Sequence, residues 1–206
     1  MIVRLVSGED GLTFEAALAR GGGAYVDGDW LPSEPGGEVP ALVLDPAGVD
    51  PDARAAQALT RVARESVAHV EGRSGAVDVT GAGLVAAIAR QLLGGRVAAP
   101  GAAAPRPEAV IDTTGDPDRI AAATRRVADL GLVVLAGEST ERQLDLDLYP
   151  DVHVRGLELV GVTPMLVSDL EDDDDAPPVP APAEVEIGAP LPRAAVWYRI
   201  TGAAEH

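Results

Sequence analysis

The chain has 206 residues, 47 % of them apolar, and a formal net charge of −17: one domain, or one domain with a small appendage, with a sizeable core. That charge excludes nucleic acid and anionic membrane as expected partners, and no apolar run approaches the roughly 20 residues of a membrane span, so a cytoplasmic protein is expected. There is no Cys and all 16 basic residues are Arg, which excludes disulfides, thiolate nucleophiles, Cys-bound zinc and Schiff-base lysine chemistry.

Residues 1–48 read as short β segments and turns: Met1 to Val6 alternates around Arg4, Ala24 to Trp30 carries an Asp-Gly turn, and Pro40 to Leu44 is a compact apolar strand. Gly21 to Gly23 and Pro32 to Gly37 separate them as loops. A helix follows over 51–70. Asp50 is its N-cap and Pro51 its first residue, while Ala55, Leu59, Val62, Ser66 and His69 recur at helical spacing. His69, near the C-terminus, is first a residue paired with the helix dipole and only second a candidate base.

The strand Ala76 to Val79 runs into Gly81-Ala82-Gly83-Leu84-Val85-Ala86 and a helix. The first Gly permits a tight turn, the second lets backbone approach a pyrophosphate, and the helix N-terminus offers N–H donors to an anion. Gly81, Gly83 and Leu84 are therefore candidate contacts for NAD or NADP. A second strand, Arg96 to Ala99, should end in an acid that holds the ribose, but Pro100 to Pro105 follows with none. Arg106 would favour NADP if it met a 2′-phosphate; between two prolines it reads first as a solvated loop residue.

Ala109 to Asp112 is a strand ending in Thr113-Thr114-Gly115, Asp116 or Thr114 caps a helix from Pro117 to Leu130, and Leu132 to Leu135 is a fully apolar strand ending at Ala136-Gly137, with Glu138 beside it. Ligands of open α/β sheets bind at carboxyl ends of strands, so Thr113, Thr114, Gly115 and Gly137 are placed beside one. Tyr149 and His153 stand four apart and share a face if the chain turns helically there, a spacing that suits packing over the sheet edge or a proton relay. A strand over 157–161 follows. Asp169 to Asp175 is an acidic run without the spaced ligands and turn Gly of a calcium loop, and with Ala176 to Ala183 it reads as a linker. Glu184 to Ile187 is a strand and Leu191 to Ile200 a closing helix that docks back through Trp197 and Tyr198.

The segments V-I-D-T-T-G-D-P-D-R-I, L-G-L-V-V-L-A-G and L-D-L-Y-P-D-V-H-V-R-G-L-E-L-V-G, with the closing P-L-P-R-A-A-V-W-Y-R-I, resemble the cofactor-domain half of the medium-chain dehydrogenase/reductase superfamily, which includes zinc-dependent alcohol dehydrogenases. The resemblance covers roughly 51–161 and 184–203. It implies a reduced Rossmann-like α/β fold: a mainly parallel open sheet in the order 96–99, 76–79, 109–112, 132–136, 157–161, flanked by helices. Residues 1–48 would then be a β-rich remnant of a catalytic domain, 49–168 the reduced Rossmann-like domain, 169–183 a linker, and 184–206 a strand and helix.

Without Cys, and with no His before residue 69, the zinc chemistry of that superfamily has no ligands in this sequence. Three functions remain. The first is a non-redox binding or accessory subunit beside a biosynthetic enzyme. The second is a minimal zinc-independent NAD(P)-dependent oxidoreductase completed by a dimer partner. The third is a non-redox enzyme reusing the old cleft, with Tyr149, His153, Glu138 or His69 as its acid or base. The resemblance further implies a homodimer through the 157–161 edge.

Overall fold

The computed structural model describes residues 2–8, 11–17, 23–28, 42–43, 50–98, 106–137, 144–162, 176–192 and 195–202. Its longest element is the helix the sequence predicts, α1 (Pro51–Val70), with the Asp50 carboxylate accepting the Asp52 N–H at 3.1 Å. The stripe Ala55, Leu59, Val62, Ala63, Val67 and Val70 is buried, and each large member stabilises the fold by about 1.5–3 kcal/mol. Ser66 belongs to that stripe because its hydroxyl donates back to the Val62 carbonyl at 2.7 Å. His69 does not: it is exposed.

After α1 the chain alternates: β5 (Val77–Thr80), α2 (Leu84–Leu93), β6 (Ala109–Asp112), α3 (Pro117–Arg126), β7 (Leu132–Leu135) and β8 (Glu158–Gly161). The four strands form a parallel sheet in the order β5-β6-β7-β8, as expected of this run of elements. Helices cover both of its faces, so β7 is apolar throughout and β6 is apolar up to Asp112 at its carboxyl end. Ala109, Ile111, Leu132 and Val134 point into the cluster built with α1 and α2, while Val110 and Val133 pack with Ala123 and Val127 on the α3 side.

Three expectations are corrected. Of the strand expected at 96–99, the described residues 96–98 show a single bridge, Val97 to Val77, and Arg96 belongs to a 3-10 turn over Gly94–Arg96. The position relative to β5 is nevertheless the one expected. Helix α3 stops at Arg126, four residues short of Leu130. The closing helix does not form: Trp197–Thr201 is a strand, β10. It is inserted between β3 (Ala24–Asp27), to which it runs antiparallel, and β9 (Ala183–Glu186), to which it runs parallel. With β4 (Leu42–Val43) these make a second sheet, β4-β3-β10-β9. Aromatic and β-branched residues suit such a half-buried pleat, and the ladder on both sides decides against a helix.

Near the N-terminus, β1 (Ile2–Gly8) and β2 (Gly11–Ala17) form an antiparallel hairpin. β2 was not foreseen in the sequence. The acidic run 169–175 and Glu138 lie outside the described residues. Residues 176–182 belong to no helix or strand; Val179 packs on the main core and the Trp197 indole N–H donates to the Pro180 carbonyl at 2.8 Å. Among the described residues no helix is long and apolar enough to cross a membrane.

Candidate functional site

The carboxyl ends of β5, β6 and β7 meet at the Gly81–Gly83 turn, Thr113–Gly115 and Gly137. Gly81 sits at φ 108°, which a side chain would oppose, and turns the chain from β5 toward α2. Gly83 is the N-cap of α2 and has no side chain to cap it. Arg90, one helix length on, donates to the carbonyls of Val79, at 2.9 Å, and Gly81, and so pins the turn to its own helix.

The first amides of α2 are turned toward a carboxylate that the sequence reading did not single out. Asp27, at the end of β3 and 2 % exposed, accepts the Leu84 N–H on Oδ1 and the Val85 N–H on Oδ2, the latter at 3.3 Å. A Cβ added at Gly83 would overlap this carboxylate. The open approach that glycine provides is therefore filled by Asp27.

The neighbouring strand end is organised around Asp112, which is fully buried. Its carboxylate accepts from the Thr80 hydroxyl at 2.5 Å, from the Thr114 hydroxyl at 3.0 Å, and from the amides of Thr114 and Gly115, each at 3.1 Å. The Thr113 hydroxyl donates to the Thr80 carbonyl at 2.9 Å. Gly115 takes φ 64°, and Gly137 lies so close that an added Cβ would stand 2.7 Å from the Thr113 carbonyl oxygen. Thr113, Thr114, Gly115 and Gly137 are thus brought together as expected, but both hydroxyls are turned into the protein.

The candidate bases are not brought there. Tyr149 and His153 do share a face: they lie on a π-helical turn, Leu148–His153, with rings stacked at 5.0 Å. Both are exposed rather than packed on the sheet edge. That turn precedes β8 and is tied to the end of α3, where Arg125 approaches Asp151 at 3.4 Å and Arg155 donates to the Thr124 carbonyl at 2.7 Å. It therefore lies at the pole where strands begin, away from the cleft. His69 is at the same pole, since α1 ends just before β5 and neighbouring Arg73 reaches Glu158 at the start of β8. Arg106, also exposed, stands 3.9 Å from Asp129 ahead of β6 and is no closer.

β3 has a second tie to the core. The Tyr25 hydroxyl donates to Asp52 Oδ1 at 2.6 Å, and its ring stacks on Trp197 with centroids 5.5 Å apart. Burial first, and then the hydrogen bond to the Asp52 carboxylate, push the phenol up to about 12. Arg199 on β10 joins the group, donating to Asp52 at 2.7 Å and pairing with Glu184.

A dinucleotide needs amides at this helix for its pyrophosphate and, at its ribose, a carboxylate for NAD or an Arg for the 2′-phosphate of NADP; Arg106 lies at the opposite pole, beside Asp129. The α2 amides face Asp27, and residues 79–107 contain neither Asp nor Glu. The first acid after the turn, Glu108, accepts the Gly75 N–H at 2.5 Å at the opposite pole. In this arrangement the residues present do not fit the cofactor. Asp27 was hidden because Asp27-Gly28 reads as a turn; the signal that could have exposed it was the absence of any capping side chain at Gly83.

No protein-family model and no curated protein matches the sequence. Among solved structures the chain is similar to a protein assigned as a zinc-binding dehydrogenase from Sinorhizobium meliloti 1021, bound to NADP: TM-score 0.51, 15 % identity, 82 % of this chain and 65 % of that one. L-idonate 5-dehydrogenase from Escherichia coli K-12 gives a TM-score of 0.50 at 14 % identity, covering 80 % of this chain and 60 % of that one. These likenesses show a dehydrogenase-like, Rossmann-type fold, and the chain spans less than two thirds of either protein's length.

Proposed function

We propose that this chain is a dehydrogenase-like protein that works without redox chemistry, as a binding or accessory subunit beside a biosynthetic enzyme. The observation that carries this reading is the acid-free span from 79 to 107: the segment that would bring a ribose acceptor supplies no carboxylate, and among the described residues it makes one bridge, at Val97. The inward-turned hydroxyls of Thr113 and Thr114 and the remote positions of Tyr149, His153 and His69 support it. The alternative, a minimal zinc-independent NAD(P)-dependent oxidoreductase, draws support from the NADP bound by the S. meliloti protein of similar fold.

Titration with NADH and NADPH, read by cofactor fluorescence and by the thermal midpoint, separates the two. The accessory reading expects no response to either. A site holding ligand at 100 times its Kd would add about 2.7 kcal/mol of stability, and such a rise would end the non-redox reading. Co-purification from the native host tests the subunit role, and recovery of the chain with no stoichiometric partner counts against it.

A further inference from the structure

We propose that the Gly81-Ala82-Gly83 turn holds an anion belonging to the chain itself. The Asp27 carboxylate is a built-in replacement for a dinucleotide's pyrophosphate, and the turn ties β3, and with it the β4-β3-β10-β9 sheet, to the parallel core. The inference shares with the non-redox reading the expectation that no pyrophosphate sits at this turn, and it adds the reason.

Three features converge on Asp27. Two of the leading amides that a helix leaves without internal acceptors, those of Leu84 and Val85 in α2, meet its carboxylate. Gly83 is required on steric grounds, since any side chain there would enter the carboxylate's space. The residue is 2 % exposed and is the last of a strand, paired there with Trp197 of β10, so the carboxylate is delivered by strand backbone. A second anion at the same amides would face a like charge in a site closed to solvent. The glycine pattern is thus explained without a nucleotide: Gly81 makes the bend and Gly83 makes room for Asp27.

Removing the carboxylate should uncover an anion site. The probes are sodium pyrophosphate and NADPH on the full chain, with sodium chloride at matched ionic strength as control. The readouts are the thermal midpoint and the amide resonances of Leu84 and Val85. In the wild type neither probe moves those resonances. Asp27→Ala lowers Tm by roughly 3–6 °C, and pyrophosphate, but not chloride, raises it saturably and shifts both amides. Asp27→Asn, equal in size and with one acceptor left, is measured beside it in case the alanine variant does not fold, and shows the same selective rise.

The proposal is overturned if either probe shifts Leu84 and Val85 in the wild type, or if a folded variant keeps wild-type Tm or gains no response to pyrophosphate. Should both variants unfold, the wild-type titration decides alone. If the wild type binds NADPH while these amides stay still, the non-redox reading fails and the built-in anion stands. If it binds no dinucleotide and the variants gain nothing, the reverse holds.

Discussion

The helices of the parallel sheet begin in two different ways. α1 and α3 are capped by the residue immediately before them: Asp50 accepts the Asp52 N–H, and Asp116 accepts those of Asp118 and Arg119 at 2.8 and 3.2 Å. α2 begins at a glycine, and its carboxylate arrives from a residue 57 positions earlier. A local cap orders only its own turn and forms with the helix. A remote one forms only when β3 docks, so the free energy of capping becomes free energy of assembly. A glycine at this position offers no acceptor of its own, and the carboxylate of Asp27 meets the amides it leaves.

The largest test of this contrast is Gly83→Ala. Its Cβ meets the Asp27 carboxylate, and we expect a loss of about 2–3 kcal/mol in urea unfolding, typical of overpacking. In the Asp27→Ala background the methyl enters vacated space, so the two losses should fall short of additivity by about 1 kcal/mol or more. Simple additivity would mean that the glycine and the carboxylate are not one device.

The second tie of β3 sharpens the comparison, because it too is remote but neutral on one side. Tyr25→Phe removes the hydrogen bond to Asp52, which keeps Arg199, and should cost about 1 kcal/mol at pH 7. The wild type also carries a pH signature. An unfolded Tyr ionises near 10, whereas the folded phenol holds its proton to about 12. Between those values the folded state binds the extra proton, so stability falls as pH rises through the window. The contribution is complete below about 10, and the Phe variant should lack this component of the alkaline decline. An equal decline in both proteins would place its origin elsewhere.

What was legible in the sequence follows the same division between local and remote. The bounds of α1 could be read because Asp50, Pro51 and the apolar stripe lie within the helix or beside it. The strand order was legible from the family resemblance, and the places of β5, β6 and β7 from short runs that each stop at a glycine-containing turn. The spacing of Tyr149 and His153 predicted their shared face, but not its location, which depends on how Arg125 and Arg155 fasten that turn to α3. β10 was misread because its segment, led by Pro192, has the apolar density of a helix. Its strand character comes from neighbours 170 residues earlier in the chain, such as Asp27 opposite Trp197. Asp27 itself could not be found by local rules, since its side chain satisfies amides of another element.

The smallest effect expected is that of Asp116→Ala. This cap is exposed and serves two amides of a helix that keeps Pro117 at its first position and Asp118 in its first turn, so part of the terminal order survives. A loss of about 0.5–1 kcal/mol is expected, within the range for a surface N-cap. Because Asp116 ties nothing but its own helix, the loss should add to that of Gly83→Ala without coupling, and the Leu84 and Val85 amide resonances should stay where they are. If Asp116→Ala instead cost as much as Gly83→Ala, or moved those resonances, capping from within the helix and capping from β3 would be energetically the same. The case for α2 as the point where the two sheets are joined would then fall with that result.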